Sequence, residues 1–202
     1  MSNPLNISVL SGSKSAAVKL NSARNALSGI KGGFPTAVMR ALNRASQHGR
    51  TDAVKAIRNE YTVKAGALRK SFAIKKATRK DLETTLGAKG SRLPLSEYRF
   101  TPKQDTTGNA RKPVRAAIQN RGLQPVGSAF VWKGMILQRE GTRSTPLIKP
   151  RGPAVPFLAN RDTVIENVQA GMSDTFLRRL DHEVGQVLKT GMKGRNGGKI
   201  HG

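Results

Sequence analysis

Between Arg58 and Lys80 the chain sets eight cations against one acid: Arg58, Lys64, Arg69, Lys70, Lys75, Lys76, Arg79 and Lys80, opposed by Glu60. Residues of this type do one kind of chemistry, the electrostatic capture of a polyanion, because each neutralises an anionic group without a fixed partner geometry. A nucleic-acid backbone and the acidic face of another protein both answer that description. Tyr61 and Phe72 are the aromatic residues within the run, too few to stack a series of bases. Lysines in such places also solvate a helix and discourage pairing at a strand edge. The balance favours a solvated edge or protein interface over a specific nucleic-acid site, with non-specific DNA contact left open.

Bond-making chemistry has no comparable set. His48, His182 and His201 are scattered, and acid meets imidazole only in Asp181-His182-Glu183. On a helix adjacent side chains point about 100° apart and do not converge on one metal or substrate. A solvated helix face is the expectation there. Asp81 and Glu83 read as part of a charged turn. No Gly-x-x-x-x-Gly-Lys-Ser/Thr run or strand-linked Gly-x-Gly-x-x-Gly cradles a phosphate. Twelve dispersed acids form no carboxylate cluster for a divalent metal. The expectation is a non-enzyme without cofactor.

The proline-rich stretch 144–157 carries Pro146, Pro150, Pro153 and Pro156. Such a segment reads as extended, excluded from helix and from a central strand. It is a surface crossover, or a docking arm held extended at low entropic cost.

Periodicity identifies the elements that position these residues. Leu5 to Leu10 alternates like a strand, and Ala16, Val18, Leu20, Ala23 and Leu27 give a weak helical pattern. Gly32-Gly33-Phe34-Pro35 reads as punctuation. From Thr36 to Glu60, Val38, Leu42, Ala45, Gly49, Ala53, Ala56 and Ile57 share one helical face of small residues. Thr62 is a candidate cap for a short helix, Val63 to Ser71. Strands are expected at 72–77 and 84–88, with a turn at 79–81, and at 114–118, 129–132 and 135–139, while 94–100 reads as a further strand or a loop returning to the sheet. Gly134 marks a hairpin. Trp132 and Phe130 read as core on an alternating strand. A helix from about Arg161 to Thr190 carries the stripe Val164, Ile165, Val168, Met172, Phe176, Leu180, Val184 and Val187.

The fold class is therefore α+β: N-terminal helices, a central mostly antiparallel sheet, a proline-rich crossover and a long C-terminal helix. The organisation expected is an N-terminal arm at 1–33, a domain at 34–190 with a mobile loop at 101–113, and a disordered basic tail at 191–202. A net charge of +24 from 36 Lys and Arg makes the monomer a ligand for polyanions. There is no cysteine, so no disulfide or thiolate metal site. The N-terminus does not read as a signal peptide. No apolar run approaches the roughly 20 residues that span a bilayer, so no membrane partner is expected. The C-terminal helix, 160–188, holds five acids against three bases, a face that basic positions of the same or a neighbouring copy could meet.

The order of local motifs carries a resemblance. Ala41-Leu42-Asn43-Arg44 lies on an alanine-rich helix, followed by the basic turn Val63 to Ser71 and a strand ending Lys75-Lys76-Ala77-Thr78. Farther on come Gly127-Ser128-Ala129-Phe130, Gln138-Arg139, and Lys149-Pro150-Arg151-Gly152-Pro153-Ala154-Val155-Pro156, with one C-terminal helix closing the chain. Over residues 34–188 this resembles the minor tail protein Z family of tailed phages and prophages. The resemblance implies a structural virion protein, made in the host cytoplasm, that completes the tail at its head-proximal end. It implies support for head–tail joining and DNA positioning, with other tail and neck proteins as partners and a homo-oligomeric ring, commonly a hexamer. It brings no catalytic residues. The alternative reading is a sequence-nonspecific nucleic-acid-binding protein acting through its basic surface.

Overall fold

The helical face of small residues forms as its spacing requires. The computed structural model describes residues 14–105 and 112–196. The strand expected at Leu5–Leu10, residues 106–111 of the expected mobile loop and residues 197–202 of the tail lie outside the described residues. The fold is α+β, with antiparallel strands and a long C-terminal helix. Two compact units divide it: residues 53–73 with 88–164, and residues 14–52 with 74–87 and 165–196.

The second unit is built on three helices, α1 (Lys14–Ala26), the first part of α2 (Gly33–Glu60) and most of α5 (Asp162–Asn196). Residues 14–26 of the expected arm are thus helix, and Ala16, Ala23 and the following Leu27 are buried. The Gly32–Pro35 stretch does not delay α2 to Thr36. The helix starts at Gly33, because Pro35 in a first turn forfeits an N–H that has no intrahelical partner anyway. Val38, Ala41, Leu42 and Ala45 of α2 and Val168, Met172, Phe176 and Leu180 of α5 are buried.

The two long helices approach at glycines. A Cβ on Gly33 would lie 3.2 Å from Val187, and one on Gly49 would fall on the Met172 side chain. Pairing 33 with 187 and 49 with 172 makes the helices antiparallel here. α5 continues through Asn196, so residues 191–196, expected in the disordered tail, are helical.

The first unit carries most of the strands. A central sheet was expected, but the strands divide into four small sheets. β1 (Phe72–Lys75) pairs β2 (Thr85–Ala88). β3 (Arg92–Pro94) pairs β10 (Arg151–Ala154). β4 (Arg99–Thr101), β5 (Arg115–Ala117) and β6 (Gln124–Pro125) form a third sheet. β7 (Phe130–Trp132), β8 (Met135–Arg139) and β9 (Leu147–Ile148) form the fourth. The proline and glycine stretches between short strands explain the division, since each interrupts a ladder.

Thr62 does not cap the short helix α3 (Ala65–Ser71). Lys64 occupies that position with no side-chain cap bond. The Thr62 hydroxyl instead donates to the Ala117 carbonyl and accepts from the Arg99 N–H at 3.1 Å. Three chain segments meet on one side chain, a long-range bond that outcompetes a local cap. The C-terminus of α2 is closed by Asn120, whose side-chain amide donates to the Arg58 and Asn59 carbonyls at 3.0 and 2.7 Å. Its backbone N–H reaches Glu60 O at 2.8 Å.

Trp132 is not core. Val131 is fully buried and Trp132 is 41% exposed. Alternation along β7 admits only one face to the interior, and Val131 takes it. Lys133 and Gly134 close the β7–β8 hairpin with φ of 48° and 72°, a two-residue turn with both centres left-handed. Gly134 suits this, but Lys133 does so at a cost. Lys133→Asn is expected to stabilise the protein by about 0.5 kcal/mol, because Asn accepts the left-handed region more readily. The measurement is the thermal midpoint against wild type.

Tyr98 anchors the unit. Its ring is 1% exposed and its hydroxyl donates to Pro153 O at 2.9 Å. Burial first, and neighbouring Tyr61 second, push its phenol up from 10.0 to about 12. A raised phenol stabilises the fold fully below pH 10, where both states are neutral. Between pH 10 and 12 the unfolded chain ionises first, so stability falls by about 1.4 kcal/mol per pH unit. Chemical unfolding over that range should show the slope in wild type and a shallower one in Tyr98→Phe.

Candidate interaction surface

The eight cations of the basic run are all exposed, but they do not form one described group. Arg58 lies in the last turn of α2, Lys64 at the N-cap of α3, and Arg69 and Lys70 in its last turn, all in the first unit. Lys75, at the end of β1, and Lys76, Arg79 and Lys80, in the turn that follows, belong to the second. Lys64 pairs with Glu97 at 3.8 Å and Lys75 with Asp81 at 3.3 Å. These exposed pairs are worth little to stability. Lys103 lies 3.4 Å from the Phe100 ring centroid, and its ammonium is lowered by burial first and by the Lys64 charge second.

The turn at 78–81 is held by the Thr78 N–H on Asp81 O at 2.8 Å and the Asp81 N–H on Thr78 Oγ1 at 3.0 Å. Asn43 fixes the strand end before it. Its amide donates to Ala77 O at 3.0 Å and its Oδ1 accepts the Ala77 N–H at 2.8 Å. Periodicity marked Asn43 as a helix position only. Its pairing with Ala77 carries no local sequence signal.

The proline segment is tied down over its second half. Pro150 O accepts the Leu95 N–H at 2.9 Å, and Pro153 O accepts the Tyr98 hydroxyl. Pro156 corrects the expectation that 144–157 excludes helix. It sits in the first turn of α4 (Val155–Ala159), where a missing N–H is harmless. Pro146 precedes the edge strand β9, whose Leu147 and Ile148 are 44% and 40% exposed. An apolar recess of about 530 Å³ in the same unit is lined by Tyr61, Ile118, Pro153 and Phe157 together with Arg121 and Arg161. Phe157 is 63% exposed, and Arg161 pairs with Glu60 at 3.6 Å.

The Asp181-His182-Glu183 triplet diverges as helical geometry requires. Asp181 bonds Lys19 at 2.5 Å and Glu183 approaches Arg40 at 3.6 Å. Among the described residues no group of three His, Cys, Asp or Glu side chains could hold a metal ion. No helix among them is long and apolar enough to cross a membrane.

The residues of the sequence resemblance meet as contacts within each unit. Asn43 meets Ala77. Gly127, at φ 37°, leaves 3.2 Å between a would-be Cβ and Gln138 Nε2, and Arg139 stands 5.5 Å from the Phe130 ring centroid. No family model, curated protein or solved structure matches the chain.

Proposed function

We propose that this chain is a structural virion protein that completes a phage tail at its head-proximal end and supports head–tail joining and DNA positioning. The observation that carries the reading is the exposure of Trp132, Leu147, Ile148 and Phe157, at 40–63%, within one compact unit. Large apolar side chains held open to water suit a surface that a neighbouring protein covers. The edge strand β9 adds unpaired backbone groups beside two of them. The motif residues support the same role, since they meet as packing and hydrogen-bond pairs. In this reading the partners are tail and neck proteins and further copies in a ring, and the cations face acidic protein or passing DNA.

The test is labelled-antibody electron microscopy of purified phage particles. Label at the tail end next to the head is the expected result. Absence from mature particles, with the protein free in the lysate, would overturn it. The second reading, sequence-nonspecific nucleic-acid binding, is favoured by the full exposure of the basic run. It predicts a stable monomer whose DNA affinity falls steeply with salt.

A further inference from the structure

Within the second unit, α2 and α5 enclose a recess of about 440 Å³ lined by Arg44, His48, Thr175, Arg178, Arg179 and His182. The spacing explains why these six meet. Arg44 and His48 are one turn apart on α2, and positions 175, 178, 179 and 182 repeat along one stripe of α5. The antiparallel approach through Gly49 and Met172 brings the two stripes to the same recess. The sequence showed these residues as scattered charges on two helices, because the helices lie far apart in the chain.

The lining is rich in hydrogen-bond donors. Arg178 pairs with Asp174 at 2.6 Å and His48 Nδ1 with Asp52 at 2.7 Å. Among the described residues no carboxylate pairs with Arg44 or Arg179. Thr175 is 6% exposed, and its Oγ1 is buried without any hydrogen-bond partner. An unpaired buried hydroxyl costs about 1–3 kcal/mol, and a rotation of Thr175 that brings it to a ligand in the recess this residue lines would recover that cost.

We infer that this recess is a phosphate-binding site, with Arg44, Arg179 and Arg178 holding the oxyanion and the Thr175 hydroxyl turning to donate to it. The choice of cation carries the argument. All the strong cations here are arginines, whose planar forks bind phosphate oxygens in pairs, whereas lysine dominates the exposed basic run. Donors from two helices surround a tetrahedral oxyanion better than a planar carboxylate. The phosphate belongs either to a nucleic-acid backbone or to a free phosphate or nucleotide. This inference rests on the unit's own geometry, so its failure leaves the virion reading untouched.

The test titrates the full chain with pyrophosphate by calorimetry and with a short DNA duplex by fluorescence anisotropy. Wild type is compared with Arg44→Gln/Arg179→Gln, with Thr175→Val, and with the charge-matched control Lys89→Gln/Lys149→Gln, outside both the recess and the basic run. Thr175→Val keeps the side-chain shape and removes only the hydroxyl, so its melting temperature should not fall. The expected result is pyrophosphate binding weakened tenfold or more by the arginine pair, weakened less by Thr175→Val, and unchanged in the control. Duplex affinity falling in the same variants, with the salt slope of the arginine pair reduced by about 1 for the one phosphate it holds, identifies a nucleic-acid phosphate. A response of pyrophosphate alone identifies a free phosphate. Pyrophosphate that fails to bind wild type, or binds all variants alike, overturns the site.

Discussion

Gly152→Ala is expected to cost about 2–4 kcal/mol, combining overpacking of about 1–3 with a lost hydroxyl bond of about 1. The reason is space and not backbone freedom. Gly152 is buried in β10, and a Cβ there would lie 2.8 Å from Cε2 and Cζ of Tyr98 and 3.0 Å from its hydroxyl. Contacting carbon atoms settle at about 3.5–4.0 Å, so one side must retreat. The ring is buried and anchored through its hydroxyl to Pro153 O. Moving it breaks that bond, and moving β10 instead disturbs the pairing with β3. Urea unfolding measures the loss. The double variant Gly152→Ala/Tyr98→Leu should recover part of it relative to the sum of the singles, because the clash is shared. A loss below about 0.5 kcal/mol, the level of an ordinary surface change, would refute the tight fit.

That contact shows what local pattern can and cannot carry. The helical face from Val38 to Ile57 and the stripe from Val164 to Val187 were legible because a period of 3.6 is written in neighbouring residues. The Lys133-Gly134 hairpin was legible through its glycine and the flanking strands. The role of Gly152 against Tyr98 was not, since a glycine beside prolines reads equally as a loop. Thr62 misled for a related reason. Its position before a helix has the pattern of a cap, while its actual partners, Ala117 and Arg99, lie far along the chain. Trp132 was assigned to the core from the alternation of its strand, but alternation does not say which face is buried, and Val131 took the inside. The basic run was legible as charge and remained unassignable as a site, because its residues divide between two units. The arginine recess escaped entirely: its members are single charges on two helices, and only their meeting gives them meaning.

Asn43 is the second position where a single substitution should weigh heavily. Asn43→Leu is expected to lower stability by about 3 kcal/mol, since two hydrogen bonds of about 1 each disappear and both Ala77 backbone groups lose their partner. Ala77 is 4% exposed, so water is poorly placed to replace the amide. Leucine keeps the count and branching of the side-chain heavy atoms, and its higher helix propensity works against the expected loss. Asn43→Asp is the informative companion: its carboxylate still accepts the Ala77 N–H but cannot donate to the Ala77 carbonyl. Its loss should fall between wild type and leucine. Hydrogen exchange gives a local readout, because the Ala77 amide should lose protection in Asn43→Leu and retain more of it in Asn43→Asp. Equal protection in all three proteins would mean that Asn43 does not hold this strand end. The turn that follows presents Lys76, Arg79 and Lys80, so loosening it should also blunt any contact those cations make with a polyanion. Stability and DNA affinity would then fall together in Asn43→Leu, while Lys76→Gln/Lys80→Gln would lower affinity alone.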